Sequence, residues 1–577
     1  MTQFKKTILT RFIILLVPTL SLAQSTYLPL HDKSYDFLDR LGILLQTNPD
    51  LNLSICKPIS RKMAVQVAET ADSLSRNYPY DEYYHLSRTD QSNLQELLMN
   101  SSEWVPGNQD AFKSKHPLWT DIYRTKANFY AVNEKDFFLA IDPVLQFQES
   151  KESGNPENVF VNSRGIQLRG MIANQLGFST YLTDNLERGP TYFQQRTTAS
   201  GYAAVPGMGY YLAYKTTGFD YFDARGSIDF SLFKYFAVQF GYDKNFIGDG
   251  YRSLLLSDYS APYLFLKVNT RIWKLDYEIL FMELVSQHQP GGIGLLANYQ
   301  YPNKYGVVHH LSYNATPWLR IGFYDNVIFS RANYFDFSYL NPVIFLVAAQ
   351  QENGSPDKTT VGFDFKANVG HVTQVYGQLV INEFVLTDVV HYSQGSWENK
   401  DAFQVGIKYI DVFDLKNLDL QLEANLVRPY TYSAKDTVSN YSHYNQPLAH
   451  PLGANFEEFI AILRYQPIYK LKLEVKLICY KQGLDSSGVN FGSNILESYL
   501  TRPRDYGFKI GSGVPATCAN LSAKVSYEIK ENLFLDLSAL HRTYNVSNPT
   551  AAGIASSSST MVTVGLRMNV FRRQYDY

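Results

Sequence analysis

The chain has 577 residues, of which 18% are charged and 15% aromatic, with 44 tyrosines and a formal charge of -2 at pH 7. So neutral a balance excludes a phosphate-tracking nucleic-acid binder, which needs a basic surplus. Three cysteines in such a length exclude a disulfide framework, and a mean hydropathy of -0.22 fits a membrane barrel whose lumen and loop residues dilute the lipid-facing ones.

The amino terminus gives a basic stretch (Lys5, Lys6, Arg11), an apolar run from Phe12 to Val17, and small residues Ser21 and Ala23 before Gln24. This predicts a cleaved secretory signal over 1–23; Pro18 breaks the apolar run, which is too short for a spanning anchor, and no cysteine follows it for a lipoprotein anchor. Nowhere else is there an apolar run long enough for a transmembrane helix, so membrane residence requires a closed barrel.

From 24 to 119 the period is helical. Tyr35, Leu38, Leu41 and Leu45 form one stripe; Met63, Val67, Ala71 and Leu74 form a second after a Ser60 cap; Leu94, Leu97 and Leu98 form a third after a Ser87–Asp90 capping box. We expect a small helical periplasmic domain there. From 120 to 577 the period becomes two. In the segment Ala402 to Tyr432, Phe403, Val405, Ile407 and Tyr409 alternate with Gln404, Gly406 and Lys408, and after a turn Leu418, Leu420, Leu422, Ala424 and Leu426 alternate with Asp419, Gln421, Glu423 and Asn425.

Eight such hairpins are expected, with tight turns near Met171–Gln175, Phe233–Tyr235, Trp273–Lys274, Ala315–Pro317, Gly370–Val372, Val412–Asn417, Pro467–Lys470 and Ile529–Asn532. A first strand through Leu139, Ile141 and Pro143 and a last one from Met561 to Phe571 bring the expected count to about eighteen antiparallel strands in an all-β membrane barrel. All tight turns then lie on one side, periplasmic by the habit of such barrels, and the long segments around Asn185–Asp223, Arg331–Lys358, Pro429–Asn455 and Gln482–Ala516 face outward. The last strand, with Thr563, Gly565, Met568 and Val570, resembles a barrel-assembly signal, except that Phe571–Tyr577 continues beyond it. By parity Cys479 falls on the apolar face and Cys518 on the polar one, so the two are not expected to pair.

No compact nucleophile–base–orienter motif is present; Ser442, His443 and His450 share a polar loop without a catalytic spacing, so no enzyme is expected. His309 and His310 are adjacent on a strand and must point to opposite faces, which argues against a shared metal, and no cofactor motif occurs. The outward loops Tyr251–Tyr263, Tyr334–Asn341, His391–Lys400 and Tyr430–Asn455 are rich in aromatic, amide and charged residues. Aromatic platforms with carboxylates and amides are what sugar rings require, so Trp397 and Tyr432 are candidate glycan platforms. A water-filled lumen lined by Asp419, Glu423, Lys472, Glu474 and Lys476 would instead be a diffusion porin.

The segments KPISRKMAVQVAE at Lys57, NSRGIQLRGMI at Asn162, KNFIGDGYRSLLLSDYSAPYLFLKV at Lys244, YLNPVIF at Tyr339, VYGQLVINEF at Val375, RPYTYS at Arg428, NQPLAHPLGANF at Asn445 and RPRDYGFKIG at Arg502 resemble the capsule assembly Wzi family. Within it the pattern is closest to Bacteroidetes members described as gliding-motility protein RemB. The resemblance implies an eighteen-stranded outer-membrane barrel with a helical bundle on the periplasmic side. It implies surface polysaccharide and outer-membrane lipid as partners, with gliding or envelope proteins for the RemB-like role. Asp249, Arg252, Asp258, Asn341, Arg428, His450 and Asn455 fall inside the matching motifs. Of these Asp249, Arg252, Arg428, His450 and Asn455 join Trp397 and Tyr432 as candidate glycan contacts, with loop-tethering ion pairs and turn-forming asparagines as the alternative role.

Overall fold

The computed structural model describes residues 25–577 except 79, 81–83, 116–120, 174, 200–203, 234, 287–302, 332–333, 343–344, 355–356, 384–391 and 571–573. The secretory signal expected over 1–23 lies outside these, as does Phe571. Eighteen long strands form one closed antiparallel sheet. They are β1 Phe137–Glu152, β2 Val159–Ile172, β3 Leu176–Arg188, β4 Gly218–Leu232, β5 Phe236–Asp243, β6 Tyr263–Ile272, β7 Leu275–Val285, β8 Asn303–Thr316 and β9 Leu319–Phe329. The second half comprises β10 Lys358–Val369, β11 Thr373–Glu383, β12 Lys400–Tyr409, β13 Leu418–Val427, β14 Phe456–Ile468, β15 Leu471–Leu484, β16 Val514–Lys530, β17 Leu533–Val546 and β18 Ser557–Met568. The ring closes where Met561–Met568 pairs with Leu145–Glu152, which leaves no exposed edge in lipid.

Side-chain alternation does what period two demands. On β12 Phe403, Val405, Ile407 and Tyr409 are exposed on the outer wall, whereas Gln404 and Lys408 are buried in the lumen. Across the hairpin Gln421, Glu423 and Asn425 are buried beside them. The tight turns fall where the alternation breaks, and several use a residue with φ near +60°: Ala173, Phe233, Trp273, His371, Asn417 and Asn532. Exposed Trp273, Trp318, Tyr235, Tyr469 and Tyr527 ring the turn end, as an interfacial girdle does. Among the described residues no helix is long and apolar enough to cross a membrane.

Helices α1 Ser34–Leu44, α2 Pro49–Leu53, α3 Arg61–Asn77 and α4 Arg88–Asn100 precede the barrel. The expected stripes are the buried ones, the Ser60 hydroxyl caps α3 through the Met63 N–H, and the Ser87–Asp90 capping box is formed. Helix α2, which the stripes did not reveal, begins with Pro49 and is capped by Asn48, whose side chain accepts from the Asp50 and Leu51 N–H groups.

These helices sit in the turn-side mouth of the barrel. Arg40 on α1 reaches Asp90 at 3.1 Å, Asp411 at 3.0 Å and Asp419 on β13. Lys33 is surrounded by Glu96, Glu528 at 2.8 Å and Glu531 at 3.1 Å. Burial opposes the charge of Lys33, but the three carboxylates outweigh it and hold its pKa above the usual lysine range. This ammonium occupies the one triad of carboxylates among the described residues that are close enough together to hold a metal. Deeper in, Cys56–Lys57 pairs as a short strand with Phe246–Ile247 from the loop after β5. Helical segment and outward loop therefore meet inside the lumen.

The residues after β18 also turn inward. Asp576 is within 2.7 Å of Lys476 and 3.6 Å of Arg252, and the Tyr575 hydroxyl donates to Glu187 at 2.6 Å. The lumen is thus filled from both ends and retains cavities of about 280 and 170 Å³. Removing Arg40 would leave Asp90 and Asp419 without it, Asp411 keeping Lys416 at 3.3 Å, at a cost of about 3–5 kcal/mol for a buried pair that loses one partner. Arg40→Ala is expected to release the helical plug. In a planar bilayer the wild-type chain should pass little current, and the variant should show steady openings; equal conductance would refute the plugging role of this contact.

Candidate functional site

Long loops at the end opposite the tight turns make the face that could meet a ligand. The loop 428–455 folds down into the barrel rather than standing above it. Tyr432 stacks on Tyr441 at 5.7 Å, its hydroxyl donates to the Leu254 carbonyl at 2.7 Å, and its N–H donates to Asn382 Oδ1 at 2.7 Å. The Tyr441 hydroxyl donates to Leu255 O at 2.7 Å and lies 2.8 Å from the Tyr324 hydroxyl. With Leu254, Leu255, Leu256, Leu448, Ala449 and Ala454 these rings form an apolar core inside the loop half of the lumen. Tyr432 is therefore a core residue with no face open to solvent.

The polar candidates have similar placements. Arg428 is buried; its Nε donates to Asn399 O at 2.7 Å, Asp401 lies at 3.6 Å, and Tyr392 lies under its guanidinium at 4.7 Å. Asn455, with φ +61°, donates to Gly483 O at 2.8 Å and Ser512 O at 2.7 Å and accepts from the Gly511 N–H. It ties its own loop to the end of β15 and to the loop that precedes β16. The Leu452 N–H donates to His450 Nδ1 at 3.2 Å, so the proton sits on Nε2, which donates to Glu458 at 2.7 Å. Asp249 lies deep in the lumen between Arg320 at 2.6 Å and Lys366 at 3.1 Å, and Arg252 joins Asp576 and Glu458. Asp258 pairs with His31 at 2.7 Å, and Asn341 is exposed after the 3-10 turn Phe337–Leu340.

Trp397 differs. It is half-buried, its backbone N–H donates to Asp505 O at 3.0 Å, Arg502 lies 3.9 Å above its ring, Lys400 lies 4.4 Å away, and the Tyr499 ring lies tilted against it at 4.8 Å. The segments 392–399 and 499–508 are stitched by Gly507 N–H to Gln394 O and Phe508 N–H to Gly395 O, both at 2.9 Å. On this joint Tyr392 (47% exposed) and Tyr506 (53%) present open rings next to exposed Arg504 and Asp505. Sequence reading passed over Tyr392, Tyr499, Arg502, Arg504 and Tyr506, although the last three belong to the motif RPRDYGF and Tyr499 precedes it by three positions.

Ser442 and His443 do not form a nucleophile–base pair. The Ser442 hydroxyl donates to Asn440 Oδ1, and Lys304 Nζ donates to Ser442 Oγ at 3.2 Å. His443 Nδ1 accepts the Val285 N–H at 3.0 Å and Nε2 donates to Pro262 O at 3.1 Å, so both nitrogens are spent on backbone. His309 and His310 point to opposite faces as expected; His310 meets Asp364 at 2.7 Å in the lumen. Cys56, Cys479 and Cys518 are free thiols.

The fold defines a plugged outer-membrane β-barrel, and comparisons narrow this. The model for the capsule assembly protein Wzi family matches residues 178–549, so the chain belongs to that family. Among solved structures it is similar to Wzi of Escherichia coli, described as an outer membrane protein involved in group 1 capsule assembly and a carbohydrate-binding β-barrel; identity is 13%, the TM-score 0.56, and the match covers 96% of this chain and 100% of Wzi. OprD of Pseudomonas aeruginosa is matched at 9% identity and TM-score 0.40 over 75% of this chain and 96% of OprD. OccAB2 of Acinetobacter baumannii is matched at 8% and 0.41 over 74% and 97%. No curated protein sequence matches the chain.

Burial pushes the His443 pKa down to about 3 from an ordinary 6.5. A histidine with a depressed native pKa keeps its full stabilising effect above the unfolded value and loses it as pH falls toward the native one. The inward-folded loop should therefore loosen between about pH 6.5 and pH 3. Amide protection factors over 441–448 are expected to drop across that window in the wild type and to stay flatter in His443→Gln; equal slopes would refute the assignment.

Proposed function

We propose that this barrel holds polysaccharide at the cell surface through its loop-side face, with the tight turns in the periplasm. The observation that supports it most is the inward folding of the loops. A lumen packed with plug helices and loop core suits binding at a fixed surface better than passage of solutes, and the matched family is one of capsule assembly. The similar E. coli barrel is described as carbohydrate-binding, which agrees with that reading.

On this reading the glycan rests on the joint between 392–399 and 499–508. Tyr506 and the side of Tyr392 away from Arg428 offer apolar ring surface, Trp397 supports Arg502 from beneath, and Arg502, Arg504 and Asp505 offer hydrogen bonds to hydroxyls or acidic sugar groups. Arg428, His450, Asn455, Asp249, Arg252 and Tyr432 act behind them as positioning residues that fix the loops. The chain acts as a binding protein, without a catalytic step.

The test is saturable binding of the detergent-purified protein to surface polysaccharide from its own source. Tyr392→Ala and Tyr506→Ala are each expected to weaken binding by about 1 kcal/mol, roughly fivefold in Kd. Trp397→Ala should weaken it more, since Arg502 loses its support, and Tyr432→Ala should act only through stability. Absence of saturable binding would overturn the proposal. It would favour the role that the RemB-like resemblance carries, a surface component of gliding and adhesion, for which envelope proteins should then co-purify.

A further inference from the structure

After β9 the described stretches 334–342 and 345–354 fold down over the outer wall of the barrel. On β8 and β9 the outward-facing residues nearest the loops should touch hydrocarbon, yet Val307, His309, Asp325, Val327 and Phe329 are buried. The turn Phe337–Leu340 and the helix Leu346–Glu352 cover them, with the Tyr339 ring 4.6 Å from Phe329 and Leu346 and Ala349 packed on Val307 and Val327. Arg331 clamps this strap, pairing with Asp357 at 2.7 Å and Asp336 at 3.0 Å, and the Tyr339 hydroxyl donates to Asp357 at 2.6 Å.

Asp325 accepts the N–H groups of Phe345, at 2.8 Å, and of Leu346, while Phe345 takes a φ of +88°. Both nitrogens of His309 and Oδ1 of Asp325 have no hydrogen-bond partner among the described residues. Facing hydrocarbon, these polar groups would be costly; the strap shields them.

The most exposed side chains of the strap are aromatic, Phe337 at 76%, Phe345 at 61% and Tyr334 at 58%; its exposed polar residues are Ser338 and Asn341 beside the 3-10 turn and Gln351 and Glu352 at the far end of the helix. One rung toward the turns, Leu311, Phe323, Phe363 and Leu379 border an outward groove of about 470 Å³. Phe345 lies 5.6 Å from Phe323 at its upper end. At the lower end the Phe365 ring lies over Gly377, where a Cβ would meet it at 2.7 Å, and closes the groove with another apolar surface. Water would find almost no polar partner in this groove.

We propose that the strap aromatics Tyr334, Phe337 and Phe345 are embedded in the loop-side leaflet and that the groove beneath them seats a hydrocarbon chain of a bilayer lipid. The groove is continuous with the exposed apolar belt that runs on through Phe403 and Val405. A wall that already faces hydrocarbon fills an apolar hollow with hydrocarbon. The sequence reading grouped Tyr334–Asn341 with the sugar-facing loops; on this inference those aromatics face lipid. It goes beyond the polysaccharide reading and does not depend on it.

The test reconstitutes the full chain in phosphatidylcholine vesicles doped with phosphatidylcholine that carries a diazirine on one acyl chain, and maps adducts by peptide mass spectrometry. Adducts on Tyr334, Phe337 and Phe345 should exceed those on the outward segment 499–508 several-fold, and adducts on the groove residues should fall several-fold in Leu379→Trp, which fills the hollow, while strap adducts persist. Leu379→Phe, a milder filling, guards against a folding defect and should give an intermediate loss. Strap residues labelled only by a water-soluble diazirine would overturn the membrane placement. Groove adducts unchanged by both fillings would overturn the seated chain. Cross-links from these residues to another copy of the protein would replace lipid by a protein neighbour.

Discussion

The structure depends on the need to neutralise charge inside a lumen packed with helices and inward-folded loops. Arg320, fully buried on β9, is held between Asp249 of an outward loop and Asp364 of β10, and the same carboxylates engage Lys366 and His310. Such a node is strongly unfavourable when any one partner is missing. The wall therefore requires the loop 244–262 to descend, and the loop's Phe246–Ile247 in turn supplies the strand against which Cys56–Lys57 docks. Plug, loop and wall thus specify one another's positions through complementary charges, alongside the apolar core in which Ile55, Leu254 and Leu280 meet.

This has a functional consequence. An eighteen-stranded ring is wide enough for an aqueous pore, and the lumen charges on β13 and β15 would suit one. In this chain those charges are answered from within, Asp419 by Arg40 and Lys476 by Asp576. Glu423 accepts the N–H groups of Tyr251 and Arg252. Conformational freedom in the loops is spent in the same way, since Arg428 and Asn455 bond loop carbonyls instead of solvent. A face whose loops are ordered beforehand loses less entropy on contact with a long polymer than one that must fold around it.

Much of the wall was legible in the sequence because membrane strands carry a strict period-two pattern, and the short turns announce themselves where it breaks. The stripes of α1, α3 and α4 were legible for the same reason at period 3.6. Helix α2 was too short to show a stripe, although Asn48 and Pro49 marked its start. What the helices pack against was not legible, because an apolar stripe names no partner. Loop composition misled most at Tyr432. A tyrosine in a loop rich in Ser, Asn and Tyr has the same local sequence whether the loop projects or folds inward, and the difference lies in distant residues such as Asn382 and Leu254.

The outer wall shows a second limit of pattern reading. Parity places His309 and Asp325 on the lipid side, and parity is right; facing outward, however, is not the same as being exposed. An imidazole and a carboxylate on that face are tolerable only beneath cover, so their presence in the sequence was itself the signal that something lies over β8 and β9. The loop that follows β9 ends its descent with two backbone N–H groups on Asp325 and places its own aromatics outermost. Two polar residues at outward positions of adjacent strands, followed at once by a long aromatic loop, therefore read together as a wall and the strap that covers it.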